Sequence, residues 1–456
     1  MKFELILAVD CGDGQARNVS IGHMIRPDVS DVAMLGLSLS ESKQLLAQLQ
    51  REIVTRQFEA TMEQRRHCGQ CDVKRSIKDF HGARFRSLFG DVDLRVARLR
   101  KCRCAVQAPL QADPTPRQRW VAAELEYIQS ELAAMLPYAR SVELLRRLLP
   151  IGTGNSASTV RARTLRVGQR LESELTAAPV KSPKSRKLRP RVATVGLDGG
   201  HVRHCDPDSA HTFEIIAGRV LADDGSQRSM GFVRTFDQHS RTRVQRAITE
   251  HGKTSNGLMV FTDGDSRLRD LQLSVLPKAT HILDWYHLTR RLTVLSSVVH
   301  SKEAATKLPS RDHDRLSGWV DSIKWRLWHG RPVKAIARLK SLLKLLARPS
   351  LACKAVVRRT RKLATELRGY LENNADSLPN YGRRYRAGER ISTGFVESAV
   401  NQIVDKRMSK SQQMRWSPHS AHLLLQVRTR VIDGHLRQDF ARWYPGFTAN
   451  TLQLSA

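Results

Sequence analysis

The sequence predicts a mixed α/β domain carrying a large all-α insertion, preceded by a hairpin with a metal-ligand pattern and by a helical region. Three observations carry that expectation. Apolar strand-like runs alternate with helical periodicities from 192 to 287, the pattern of a sheet with helices on its faces. From 288 to 390 the spacing is helical throughout. Ahead of both, two close cysteine pairs bracket an alternating stretch, and two helical segments meet at a Gly-containing break.

Length and composition bound the answer. At 456 residues, 41% of them hydrophobic, the chain has room for two to four packed domains, which excludes global disorder. Its 76 Lys+Arg against 44 Asp+Glu give a net charge of +32, a field that attracts polyanions. Ribosome association or adhesion to an anionic membrane would fit the charge equally. The spread of basic residues over every segment, rather than beside an apolar anchor, favours nucleic acid. No segment reads as a membrane span, and the short apolar run from Met1 is interrupted by Glu4 and closed by Asp10, which suits a strand rather than a signal peptide. Seven cysteines, an odd number, argue against a disulfide scaffold; the expected compartment is the cytoplasm, in association with the nucleoid.

Residues 1–66 read as a small strand-rich cap followed by a helix, for which Ser38-Leu39-Ser40-Glu41 fits a capping box and Leu45, Leu46, Leu49 and Ile53 form the apolar stripe. Residues 67–111 read as a zinc-ribbon-like hairpin. Cys68 and Cys71 precede it, Cys102 and Cys104 follow it, and two strands between them are joined near Gly90-Asp91. Thiol pairs at the two ends of a hairpin can converge on one tetrahedral Zn²⁺, although the second pair is Cys-x-Cys rather than Cys-x-x-Cys. Four unrelated thiols are the plain alternative, and His67 and His81 are substitute ligands to consider.

Residues 112–176 read as all-helical. A helix through Val142, Leu145 and Leu148 is broken at 150–155, and Ser156 or Ser158 opens a basic helix carrying Arg161, Arg163, Arg166 and Arg170. That layout is helix-turn-helix-like and DNA-binding in kind; an ordinary helical pair with a solvated Arg face weighs about evenly against it. Residues 177–191, with three prolines and dense positive charge, read as a linker.

From 192 the sequence places Asp198 and Asp263 at the ends of apolar strands, with Gly199-Gly200 and Gly264 reading as turns. A helix opened by Ser392-Thr393-Gly394 carries Val396, Val400 and Ile403 as its buried stripe, and Glu397 and Asn401 on a neighbouring face. Carboxylates in such an arrangement suit phosphodiester chemistry. Hard cations take oxygen ligands, and two Mg²⁺ (or Mn²⁺) ions about 4 Å apart can activate a nucleophile, stabilise a leaving oxygen and neutralise phosphate.

Asp198-Gly199-Gly200, Thr262-Asp263-Gly264-Asp265, Asp284-Trp285-Tyr286-His287 and Gly394-Phe395-Val396-Glu397-Ser398 together resemble the DDE transposases of bacterial insertion sequences, most nearly the ISKra type, related to the Mutator-like and hAT lineages. The spacings, 263 − 198 = 65 and 397 − 263 = 134, leave room for a helical insertion before the last acid. The resemblance implies an RNase H-like catalytic core in two parts, 192–287 and 391–436, split by the insertion at 288–390 and followed by a tail at 437–456. It implies Asp198, Asp263 and Glu397 as ligands of Mg²⁺, and hydrolysis at transposon ends followed by attack of the freed 3′-OH on target DNA. Double-stranded DNA is the implied partner, bound by a homo-oligomer. It also implies that Asp284, Trp285 and His287 lie near the site and help position DNA. Arg407, Lys410, Arg415 and Trp416 resemble the family's C-terminal signature; Trp416 either stacks on DNA or anchors the last helix. Two other readings remain open on the residues alone: a DNA-binding protein without metal chemistry, and an RNase H-like nuclease.

Overall fold

A computed structural model describes residues 1–10, 16–26, 31–102, 104, 120–177, 190–352, 355–409 and 414–447; at a few positions, Glu397 among them, it describes the backbone alone. The fold is mixed α/β with a helical majority and one five-stranded mixed sheet. Two compact units divide it: Met1–Val167 together with His435–Ala456, and Gly168–Gly434.

In the first unit, β1 (Lys2–Asp10) pairs antiparallel with β2 (Ala16–Ile25). Helix α1 (Leu39–Arg66) starts where expected. Ser38 Oγ accepts from the Glu41 backbone N–H at 3.2 Å, and the Glu41 carboxylate accepts from the Ser38 N–H at 2.8 Å, so two orphan donors of the first turn are satisfied reciprocally. Strands β3 (Ile77–Ser87) and β4 (Gly90–Leu99) form the expected hairpin. The turn is Leu88-Phe89, and Gly90, at φ 115°, adopts a backbone that a β-carbon would strain. Val92, Leu94 and Val96 alternate inward along β4, which packs against α1. Helices α2 (Ala123–Met135), α3 (Tyr138–Leu148) and α4 (Ala157–Ala177) follow. The linker lies almost wholly outside the described residues.

The second unit holds the sheet. Strands β5 (Arg191–Arg203), β6 (Thr212–Ala222) and β7 (Gln227–Val233) form an antiparallel meander. Helix α5 (Ser240–His251) then returns the chain to β8 (Lys253–Thr262), parallel to β5, and α6 (Ser266–Val275) leads to β9 (Thr280–Leu283), parallel to β8. The order across the sheet is β7-β6-β5-β8-β9. Val195, Leu197 and Val260 are buried with Val244, Ile248 and Leu268 of α5 and α6, so the apolar runs seen in the sequence form one core. One element departs from expectation. Asp198-Gly199-Gly200 is not a strand end, because β5 runs on to Arg203, with Gly199 opposite Ile216 and Gly200 opposite Ile215. The glycines lie within the paired strand rather than at a turn; a β-carbon on Gly200 would meet Val404 at 3.6 Å and Val400 at 3.7 Å, ordinary contact.

The insertion comprises α7 (Trp285–Val299), α8 (Lys302–Lys307), α9 (Ser310–Trp328), α10 (Pro332–Leu346), α11 (Pro349–Ala352), α12 (Ala355–Asn373) and α13 (Tyr381–Arg386). Leu292 and Leu295, Val320 and Ile323, Leu339 and Leu342, and Leu367 share one core with Phe261, Ile282 and Leu283 of the sheet, so the insertion packs on β8 and β9. The chain returns to the sheet through α14 (Gly394–Val400), a π-helix at Asn401–Ser409, and α15 (Pro418–Ile432). The expected C-terminal tail instead begins as α16 (Leu436–Trp443), whose Phe440 is buried beside Tyr127 of the first unit. Among the described residues, no helix is long and apolar enough to cross a membrane.

Candidate functional site

Strand register decides where the first two acids meet. Gly196 of β5 pairs with Phe261 of the parallel strand β8. Two residues onward on β5 stands Asp198, and two residues onward from Phe261, one past the end of β8, stands Asp263, so the neighbouring strands deliver both acids to the same end. Both acids open onto one side of the sheet. A cavity over that face is lined by Asp198, Asp263, His287, Ser398, Asn401 and Asp405, among others.

The electrostatics of the pair follow from burial. Asp198 is 8% exposed; loss of solvent pushes its carboxyl up to about 6, opposed by the neighbouring His287 and reinforced by the charge of Asp263. Its carboxylate accepts from the Gly199 N–H at 2.8 Å. Asp263 accepts from the Asp265 N–H at 2.9 Å, an Asx-type turn that fixes the loop after β8. Asp265 itself caps α6, accepting from the Arg267 N–H at 2.8 Å, and pairs with the Arg267 guanidinium, so its role is the turn.

Asp284 and His287 divide the work of the Asp-x-x-His sequence. Asp284 is fully buried. It caps α7 by accepting from the Tyr286 N–H at 2.8 Å and also accepts from the Thr393 N–H at 3.0 Å and from the Thr393 hydroxyl. It therefore ties the start of α7 to the residue before α14, and the expectation that it touches DNA is corrected: no face of it reaches solvent. His287, one turn later, projects into the cavity with Nε2 3.6 Å from Asp284 and 3.9 Å from Asp198. Trp285, partly buried, packs between Trp328 and Tyr381 of the insertion.

Glu397 lies in α14, and its side chain falls outside the described residues. The next residue, Ser398, and Asn401 one turn on both line the cavity that Asp198 and Asp263 line, as does Asp405 a further four residues along the π-helix. Among the described residues, these acids do not close into a group of three within 4.8 Å of one another. Asp405, Lys406 and Arg290 were missed in the sequence. Asp405 stands at i+4 from Asn401, and Arg290 at i+3 from His287, so extending the two helical faces by one turn would have found these two, though not Lys406.

Three further expected DNA contacts are corrected by burial. Arg163 is 3% exposed and donates to Gln129 at 2.7 Å, holding α4 against α2. Arg407 is buried over the Trp416 ring at 5.2 Å. Trp416 is itself buried, donating its indole N–H to the Met408 carbonyl, which makes it the anchor of the segment before α15. Arg161, Arg166 and Arg415 are exposed, Arg166 in a 3.4 Å pair with Glu126; Lys410 lies outside the described residues.

In the first unit, Cys68, Cys71, Cys102 and Cys104 gather with all four sulfurs within 4.8 Å of one another. Sγ–Sγ distances are 3.3 Å for Cys68–Cys104 and Cys71–Cys102, and 3.5 Å for Cys71–Cys104. Asp72, at φ 54°, turns the chain immediately after the first pair. Backbone N–H groups of Gln70 and Cys71 point at the Cys68 sulfur and bring its thiol down to about 6. Such a cluster could bind a structural metal ion such as zinc. His67 faces Asp72 instead. No family model and no curated protein matches the chain.

Proposed function

We propose that the chain is a DDE transposase of the insertion-sequence type, which binds DNA and catalyses metal-dependent strand cleavage and strand transfer. The register of β5 with β8 carries this reading, because it delivers Asp198 and Asp263 to the same end, at one cavity that the helix bearing Glu397 also flanks. The meander β5-β6-β7 with β8 and β9 added in parallel beside β5 supports an RNase H-like core, in which the strands carrying the first two acids are neighbours.

The donor set suits a hard cation. All the acids are oxygen donors, Asp198 is nearly buried, and its carboxyl is held up by desolvation and by the adjacent negative charge, a penalty that a divalent ion would relieve. Asp198, Asp263 and Glu397 would hold Mg²⁺ or Mn²⁺, which when bound supplies Lewis acidity toward phosphate and a more acidic attacking water or 3′-hydroxyl. The chain's own residues do the rest. Asp284 fixes the start of α7 so that His287 stands over Asp198, and Lys406 brings positive charge to the rim where phosphate would lie. Exposed Arg161 and Arg166 on α4 suit a DNA-facing surface of the helical region. For the four cysteines we propose one structural Zn²⁺. Ligand bonds of about 2.3 Å in a tetrahedron put sulfurs about 3.8 Å apart, close to the spacing in the cluster.

The test is nicking and joining of duplex DNA from the ends flanking the coding region, with Mg²⁺ or Mn²⁺, beside Asp263→Asn. Products that need the metal and vanish in Asp263→Asn support the proposal. Activity that persists in that variant, or no strand-transfer product with any end, overturns it.

A further inference from the structure

The first two turns of α7 carry more than His287. His287, Arg290, Arg291 and Val294 stand at i, i+3, i+4 and i+7, a stripe on one face of the helix. The core stripe of the same helix is a different set, Leu288, Leu292, Leu295 and Val298. Opposite the first stripe, Leu363 and Glu366 of α12 form the second wall of a groove of about 300 Å³. This groove and the carboxylate cavity share two residues, His287 and Arg290, so the two spaces join at the start of α7.

The charges along this path are distributed unevenly. Arg290 is exposed and, among the described residues, has neither an ion pair nor a hydrogen bond. Arg291 lies 4.3 Å from the centre of the Tyr370 ring, and Tyr370 donates its hydroxyl to the Asp263 carbonyl at 2.7 Å. The wall of the groove is thus tied to the loop that carries a proposed metal ligand. Val294 and Leu363 give the far end an apolar lining, and Glu366 supplies one opposing carboxylate. Two guanidinium groups on one wall, leading out of an acidic cavity, match the backbone of a nucleic acid strand: a phosphodiester held over the acids must continue as further phosphates in at least one direction.

We propose that a DNA strand leaving the carboxylate cavity passes between α7 and α12, with Arg290 holding the phosphate at the junction. This path rests on the transposase reading and adds a contact surface separate from α4. Arg290 and Arg291 act on the strand electrostatically, while Glu366 keeps it toward the α7 wall.

Photo-crosslinking of the full-length chain tests the path without catalysis. A benzophenone amino acid replaces Val294 in the groove, or Val333, 77% exposed on α10, as the control. The probe is a labelled DNA duplex with a single-stranded 3′ extension, with Ca²⁺ in place of Mg²⁺ and no chelator, so that both proposed metal sites stay filled. The expected yield at 294 is several-fold above that at 333. Arg290→Ala lowers it by about threefold or more and reduces the salt slope of binding by about 1, as loss of one phosphate contact does. Glu366→Gln raises it, which keeps the test decisive if the arginine variant folds poorly. Equal yields at 294 and 333 with DNA bound, or a yield at 294 indifferent to both substitutions, overturns this path and leaves the transposase reading standing. A chain that binds no DNA overturns both.

Discussion

The hydroxyl of Tyr370, on α12 of the helical insertion, donates to the backbone carbonyl of Asp263 at 2.7 Å. A residue 107 positions downstream therefore steadies the loop that follows β8, and Asn374, one turn further, reaches the Gly264 carbonyl at 3.5 Å. The insertion is part of the architecture of the site. Tyr370→Phe keeps the ring and removes the bond. The expected result is a loss of about 1 kcal/mol of stability and a roughly tenfold slower metal-dependent nicking rate, with DNA affinity retained. An unchanged rate would show that the loop is held by other contacts.

Glu397 and Asp405 lie eight residues apart on consecutive helical segments, and Ser398 and Asn401, between them, line the cavity together with Asp405. Glu397→Gln is expected to reduce nicking at least about a hundredfold while DNA binding persists. Asp405→Asn is expected to have a smaller effect, since Asp405 has no place in the acidic triad. If the two rank the other way, the third acid is Asp405.

For the cysteine cluster, elemental analysis of the purified chain should find one zinc per chain. Cys68→Ser or Cys104→Ser should abolish it and lower the unfolding temperature of the first unit, because metal-binding energy is folding energy in such a site. A metal-free chain with unaltered melting would remove the zinc proposal and leave the carboxylate site untouched.

His281 is buried between the Thr262 hydroxyl at 2.9 Å and the Ser377 hydroxyl at 2.6 Å; burial first, and then the positive charge of Arg269, push its imidazole down to about 4. Its folded value thus lies below the unfolded one near 6.5. As pH falls from about 6.5 to about 4, the unfolded chain takes up a proton that the folded chain refuses, so stability is lost by up to about 1.4 kcal/mol per pH unit. His422, also lowered by burial, acts with the same sign. Chemical denaturation across this range should show the slope, shallower in His281→Gln. An identical slope in that variant would assign the effect to other groups.

Gly200 of β5 faces Val400 of α14 and Val404 of the π-helix. Alanine there would meet Val404 and Val400 at ordinary van der Waals distance, so Gly200→Ala is expected to fold and cleave nearly as the parent does. Gly200→Phe should displace the π-helix and depress nicking without unfolding the sheet, read by circular dichroism and activity together. A fully active phenylalanine variant would mean that the approach is not needed.

Some of this was written locally. Period and punctuation in the chain delimit α1 with its Ser38 cap, the β3–β4 hairpin, the strands bearing Asp198 and Asp263, and the helical run after 288, because each depends on neighbours within a few residues. The two thiol pairs were equally legible, since a hairpin brings its own ends together. Burial was not legible. Arg163, Asp284, Arg407 and Trp416 have the composition of DNA-facing residues, yet each is buried against partners the sequence does not point to, such as Thr393 for Asp284, the Trp416 ring for Arg407 and the Met408 carbonyl for Trp416. Gly199-Gly200 was misread because pairing with β6, a partner the local sequence does not show, carries β5 straight through both glycines.

What the sequence by itself determined is the inventory: which segments are strands and helices, and which acids, thiols and basic residues are on offer. Tertiary structure alone decided which of them share a cavity, because strand register delivers Asp198 and Asp263 to the same end and packing of distant helices turns a side chain inward or out. Local propensity acts over one or two turns of chain, whereas burial depends on everything that folds against a residue.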